Sequence, residues 1–589
     1  MRSDGKEMVF AVRLAAIRER GVAVTQVRGH TLAFFAQDDQ VFAVDNRCPH
    51  MGFPLAQGSV CDGLLTCHWH HARFDLKSGG TFDPWADDLR TFPVEIRGDE
   101  VWVDVTPPED QTQHHRARLQ IGLERNISLV LAKSALALLE QPEQVVDAFR
   151  MGLLFGVRTE SMRGGGWEQG LTMHTCMLKL WPYLDPEDRP RALYHGLSAV
   201  AQDSDGRAIH WPMRPLPATT GDLAALKEWL RQFVGVRDAE GAERCVVTAV
   251  RMGATPAQMA DMLFTAVTDY RYIGGGHMAD FTNKAFEALD MAGWDHAETV
   301  LAALVADYAA QGRMEESNAW RHPIDLVEIL QDSFAQLPEA VEEGKKARQA
   351  GRGWRSTPTF VDTLLGDDPH AIAATLLDAL RQGCELVQLA QTVSYAAALR
   401  IARFHVSNEF SDWDTALHTF SFANAIEHGL RRSPSLDLVR GVFDAAMSIY
   451  NDRFLNVPPA RLPEPGTPVD DPAALLSQLA ELLNRQQQVD RAGKLVGDYL
   501  YSEGDPDRLM AQLGHLLLRE DRNFHTIQMV EAAIQQVAHR PGSSEAVHIL
   551  VAATRYLAAH APTMRGQGQT FVTARRLNRG EQLFAETEA

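Results

Sequence analysis

Cys48-Pro49-His50 and Cys67-His68-Trp69-His70 decide how the first hundred residues are read. The first stretch supplies a Cys-x-His pair and the second a Cys-x-x-His pair, each on a turn after a β-rich run. Gly21 to Val24, Thr31 to Phe35 and Val41 to Val44 read as strands. Phe92 to Ile96 and Val101 to Val105 read as two more, joined by the turn Arg97-Gly98-Asp99-Glu100. The pattern gives a small antiparallel β domain in which two loops close on a metal from opposite sides. A structural zinc site calls for Cys-x₂₋₄-Cys or His-x₃₋₅-His spacing, which neither loop has.

Over about residues 8–106 this stretch closely resembles the Rieske ferredoxin family. The resemblance implies a [2Fe–2S] cluster with Cys48 and Cys67 as thiolate ligands and His50 and His70 as imidazole ligands. Imidazole ligation raises the potential relative to an all-thiolate ferredoxin. Phe74-Asp75-Leu76-Lys77-Ser78-Gly79-Gly80 also matches the family's chain after the second loop. The family usually has Gly after the second His ligand, where this chain has His71. Respiratory Rieske proteins carry an extra cysteine in each loop. Phe53 stands where the first would be, and Cys61 is too far along to replace it. The match is therefore to the ferredoxin or oxygenase type. His68 and His71 flank the ligand position, and the spacing favours His70.

Outward from this domain, 1–106, residues 107–118 read as a polar, proline-containing linker. From Leu119 onward the patterning is helical and rich in Ala, Leu and Glu. The expected fold is multidomain: a small antiparallel β domain followed by a large all-α domain with an internal tandem duplication. The two helical halves are 119–350 and 351–589, with the repeat itself at roughly 140–335 and 370–565.

The repeat rests on recurring landmarks. His174-Thr175 and His418-Thr419 each open a stretch that ends in a proline-rich segment, Ala208 to Pro217 and Phe454 to Pro463. Gly253 leads to His277, Gly504 to His525 and, in a third stretch, Gly383 to His405. Histidines recurring in corresponding helices suggest a metal site in a bundle interior. The candidates are His277 with Asp280, His405 with Glu409, His418, and His525, with Gln528 three residues on. Residues three or four apart share a helix face. Histidine and carboxylate ligands suit a non-haem iron.

Gly164-Gly165-Gly166 and Gly274-Gly275-Gly276 follow no βαβ unit, so no dinucleotide fold or P-loop is read. Electrons are then expected from an external flavin/NAD(P)H reductase or a ferredoxin. Ring-hydroxylating Rieske oxygenases pair the β domain with a mixed α/β catalytic domain, which this helical remainder does not resemble. His-Thr-x-x-x-x-Asn at His418–Asn424 is distantly similar to the questin oxidase-like helical family, implying oxygenation of a polyketide-like ketone.

Composition bounds the rest. The chain has 589 residues, 57 basic against 77 acidic, a net charge of −20 that disfavours nucleic acid as a partner. Six cysteines make no disulfide framework. No apolar run reaches membrane-spanning length, and Met1 to Phe10 shows no apolar signal segment. A cytoplasmic redox enzyme of oxygenase type is expected, in which the cluster passes electrons to a helical-domain site that binds a small organic substrate. A homo-oligomer is compatible with this. The alternative is an electron-transfer protein whose helical domain is a docking scaffold.

Overall fold

The computed structural model describes residues 7–106, 111–141, 143–160, 166–217, 222–581 and 583. Two compact units emerge: Met1–Ala148 with Gln567–Ala589, and Phe149–Gly566.

Among its described residues the first unit holds ten strands: β1 Met8–Arg13, β2 Val22–Val27, β3 His30–Gln37, β4 Gln40–Asp45, β5 Ser59–Cys61, β6 Leu64–Thr66, β7 Arg73–Asp75, β8 Thr91–Phe92, β9 Val94–Arg97 and β10 Glu100–Asp104. They form three antiparallel sheets ordered β1-β10-β9, β2-β3-β4-β8 and β5-β6-β7. Two-residue turns set the hairpin registers. Arg28-Gly29 and Asp62-Gly63 both carry positive φ at each residue, which matches the right-handed strand twist. The β5-β6-β7 sheet buries Leu65 and Phe74 in one cluster with Phe35, Val44, Phe53 and Leu55. That shared core holds the loop after β4 beside the turn between β6 and β7.

The expected linker needs correction. Residues 107–110 lie outside the described residues, but Thr112–Glu124 is a helix, followed by another at Ser128–Leu138. The first packs back on the β domain through buried Arg118, whose guanidinium donates to the carbonyls of Ala86 at 2.5 Å and Pro84 at 2.9 Å. Satisfying a buried guanidinium this way ties the helix down, since an unpaired buried charge is costly. The polar composition of 111–118 thus reflects a helix face rather than a linker. From Gln567 the final helix, Gly566–Asn578, also groups with this first unit rather than with the second helical half.

The second unit is built of helices, joined by turns and by extended segments such as 207–217 and 457–471, with one isolated bridge between Thr159 and Ile209. At its centre four helices pack as a bundle: Gln169–Leu180, His277–Ala292, Phe410–Arg432 and Phe524–Ala538. The 277–292 helix packs on 410–432 and the 524–538 helix on 169–180, while each pair also touches the other. The bundle core is unusually polar. Lys284 is fully buried, with Nζ 2.9 Å from Glu287 and 2.5 Å from Glu531. Breaking such a pair on one side leaves an uncompensated charge, so it fixes which helix faces meet. Among the described residues no helix is long and apolar enough to cross a membrane.

Candidate functional site

Two constellations carry chemistry, one in each unit. In the first, local backbone bonds shape both loops. Cys48 N–H donates to Phe53 O and Gly52 N–H to Cys48 O, both at 2.8 Å, and Gly52 takes φ +85°. In the second loop Cys67 N–H donates to Ala72 O at 2.8 Å, and His71 sits at φ +63°. A left-handed conformation at that position favours glycine. His71 therefore occupies it at some steric cost, and its ring is carried outward into solvent.

These tight turns bring the four predicted residues together. The buried Cys48 and Cys67 thiols are hydrogen-bonded to each other. That bond and burial push Cys48 up, while the same bond lowers Cys67 to about 6, helped by the N–H groups of Trp69 and His70. Beside them His50 and His70 stand ring to ring, 4.8 Å apart and nearly perpendicular. Burial, then the charges of His70 and Lys133, lowers His50 to about 4, so it is neutral near pH 7, the form that ligates metal. His50 Nδ1 is buried with no hydrogen-bond partner among the described residues. An orphaned imidazole nitrogen beside a pair of thiols is a donor set that fits a mixed thiolate and imidazole cluster. Trp85 braces the His50 ring at 4.6 Å, and Lys133 Nζ donates to the carbonyls of Pro49 and His50. His68 turns away, its Nε2 3.0 Å from Ser59 Oγ.

The second constellation lies at one end of the bundle. His277, His418 and His525 come from three different helices, and one ligand atom of each lies within 4.8 Å of the others. The Nε2 atoms of His418 and His525 are 2.9 Å apart. Two imidazole nitrogens bound at right angles to one ion at about 2.0–2.1 Å would be about that far apart. Three glycines deliver His277. Gly274, Gly275 and Gly276 take φ of 63°, 66° and 92°, and His277 is the first residue of its helix. A Cβ at Gly276 would meet the Tyr272 ring at 2.9 Å and Phe422 Cβ at 3.1 Å. The glycine run thus serves as the tight turn that aims His277. Asn523 caps the 524–538 helix by accepting from Thr526 N at 3.0 Å, which fixes the turn carrying His525.

Asp414, which the sequence reading missed, supports the triad. Its Oδ2 lies 3.3 Å from His525 Nδ1, its Oδ1 lies 3.7 Å from His560 Nε2, and it accepts from Tyr556 OH. Bonds from His525, His560 and Tyr556 overcome burial and hold its carboxyl well below the usual carboxylate range. Its position four residues before His418, on the same helix face, was the available signal. A cavity of about 610 Å³ opens beside His418, lined by Tyr272, Trp320, Thr419, Asp452 and Phe454 among others.

The remaining predicted residues lie elsewhere. Asp280 is buried in the bundle core, one turn along from His277, where it accepts from Gln528. Burial raises Asp280 to about 7, against the opposing charge of Lys284. His405 and Glu409 do not share a helix face, because 403–409 is a turn between helices. His405 Nδ1 bonds Ser407 Oγ at 2.7 Å, and Glu409 caps the 410–432 helix in a reciprocal box with Asp412. The chain reverses there because Asn408 donates to Leu455 O at 2.6 Å.

Comparison with known proteins bears on the first constellation. The family described as Rieske [2Fe–2S] domain matches residues 7–93. The ferredoxin component of the p-cumate 2,3-dioxygenase system of Pseudomonas putida is 35% identical over 79 residues, 13% of this chain and 67% of that protein. The ferredoxin component of the naphthalene 1,2-dioxygenase system of Pseudomonas aeruginosa is 29% identical over 102 residues, 17% of this chain and 98% of that protein. Among solved structures, the ferredoxin of carbazole 1,9a-dioxygenase from Nocardioides aromaticivorans IC177 aligns at 24% identity. It covers 17% of this chain and 98% of that one, with a TM-score of 0.16.

Proposed function

Because the chain belongs to the Rieske [2Fe–2S] family through its N-terminal domain, we propose that this domain is the electron entry module of an oxygenase-type enzyme whose reaction takes place in the helical unit. Electron transfer is the role supported by relatives named as ferredoxin components of dioxygenase systems. Cys48 and Cys67 would hold one iron of the cluster and His50 and His70 the other. Bound there the cluster supplies one-electron transfer, and a non-haem iron at the second site supplies activation of O₂.

The observation that carries the second half of this reading is the convergence of His277, His418 and His525 beside a cavity large enough for a small organic molecule. His525 keeps Nδ1 toward Asp414, which leaves Nε2 toward the other imidazoles. Asp414 thus orients a ligand instead of serving as one, as carboxylates behind metal-bound histidines commonly do. Tyr272, Trp320 and Phe454 give the cavity an aromatic wall beside His418, and Thr419 and Asp452, bonded to each other, add polar groups to its lining. The reciprocal packing of 277–292 on 410–432 and of 524–538 on 169–180 is what a tandem duplication would produce, and on that reading the site lies where the two halves meet. An external flavin/NAD(P)H reductase or ferredoxin would supply the electrons.

One observation favours a second reading, an electron-transfer protein with a helical docking scaffold. The matched ferredoxin components are electron carriers by name, and each match covers under a fifth of this chain. Counting iron and acid-labile sulfide separates the two. Iron beyond two per chain, lost in His418→Ala without loss of sulfide, supports the oxygenase reading. Two irons and two sulfides in both proteins after reconstitution with ferrous iron would leave the carrier.

A further inference from the structure

Lys133 belongs to the helix Ser128–Leu138, forty residues beyond the matched family segment, yet it reaches the first ligand loop. Its Nζ donates to the carbonyl oxygens of Pro49 and of His50, the latter at 2.7 Å. Among the described residues no carboxylate pairs with it. Asp87, the acidic group that faces it beside Cys48, is committed elsewhere: its Oδ1 is 3.0 Å from His114 Nε2 and 3.2 Å from Arg118 Nε. The ammonium is half-buried, so water screens its charge less than at an open surface. The naphthalene dioxygenase ferredoxin, 98% of which is matched by 102 residues of this chain, has no length left for a counterpart of this helix.

We propose that Lys133 supplies a positive charge, added by the helices after the β domain, that holds the Cys48-Pro49-His50 loop and raises the reduction potential of the cluster bound there. The step concerned is the gain of one electron, with no bond made or broken. It leaves the cluster and its two thiolates one unit more negative, so a nearby cation stabilises the reduced state more than the oxidised one. Net charge and hydrogen bonding around the sulfurs are established determinants of such potentials. Lys133 is a positioning residue here, acting through the loop and through its field.

The test is the midpoint potential of the full chain, titrated anaerobically with dithionite and mediators and followed by visible circular dichroism and EPR. Lys133→Gln keeps a donor for the two carbonyls and removes the charge, Lys133→Met removes both, and Lys133→Arg keeps both. Gln and Met are expected to disfavour reduction about tenfold, a downward shift of about 59 mV for one electron. Arg should stay near the parent potential, with the EPR g values of all variants unchanged. Should Met lose the cluster, Gln alone decides. A Gln variant with the parent potential overturns the proposal, and so does loss of the cluster in both Gln and Met, which would assign the lysine to loop support alone.

Discussion

Asp414 Oδ2 sits 3.3 Å from His525 Nδ1 and fixes which imidazole nitrogen faces His418. Removing that carboxylate should loosen any metal held by the triad without touching the other unit. Asp414→Ala is expected to weaken iron binding at the second site by about 10–100-fold, the usual cost of losing such a partner. Isothermal titration of protein whose second site has been stripped by a mild chelator measures it. Unchanged affinity would mean that Asp414 serves only the fold.

Gly276 offers a purely steric test of the same site. Its φ of 92° and the closeness of Tyr272 and Phe422 leave no room for a methyl group. Gly276→Ala should displace His277 and lower non-cluster iron severalfold, and it should destabilise the helical unit by about 1–3 kcal/mol. Gly253→Ala is the control: it is also left-handed but its Cβ meets nothing within 4 Å, so it should destabilise without altering iron. Equal iron loss in both variants would contradict the reading.

In the first unit, replacing either of two proposed ligands should have different consequences. Cys67→Ala should abolish the cluster, because the thiolate has no substitute nearby. His50→Cys should retain a cluster at a lower potential, since thiolate in place of imidazole adds negative charge. A wild-type EPR spectrum in Cys67→Ala would exclude Cys67 from the ligand set.

The parent protein mixed with NADH or NADPH alone should keep its visible absorption, because no dinucleotide-binding fingerprint is found in the sequence. Adding a flavin-dependent reductase should bleach it. Rapid bleaching by the nucleotide alone would point to a binding site with no Gly-rich signature.

The contact of His114 with Asp87 gives a pH dependence of known sign. The bond to Asp87 raises the histidine above its ordinary 6.5, against burial that lowers it. Its stabilisation is therefore complete below about pH 6.5 and is lost as pH rises through the folded-state value. Heating the holoprotein and following loss of cluster absorption should show His114→Gln melting below the parent at pH 6. The gap should close by pH 9, and a gap of equal size at both values would refute the linkage.

The grouping of Cys48, His50, Cys67 and His70 was legible in the sequence because each pair is local. Cys48 with His50 and Cys67 with His70 lie within single loops, so spacing and strand pattern already constrain them. The helical class of the remainder was equally legible, since Ala- and Leu-rich periodicity runs through it from Leu119 onward. Failures came where tertiary bonds set the local structure. His405 and Glu409 are four apart, the spacing of a helix face, but the chain turns between them where Asn408 donates to Leu455 O. The stretch 111–118 read as linker because the partners that fix Arg118, the carbonyls of Pro84 and Ala86, lie in the β domain.

By itself, then, the sequence determined the β domain with its two cysteine- and histidine-bearing loops and a helical remainder rich in candidate histidines. Only the tertiary structure decided which histidines meet. His418 and His525 are 107 residues apart in the chain, and they meet where the 410–432 and 524–538 helices pack, the latter also tied to the 277–292 helix by the buried Lys284–Glu531 pair. That choice of helix faces is a property of packing and charge pairing between distant segments, which no local spacing encodes. The same holds for Asp414 behind His525 and for Lys133 on the ligand loop. Each is a single polar group whose role is set by what lies across an interface, not by its neighbours in the chain.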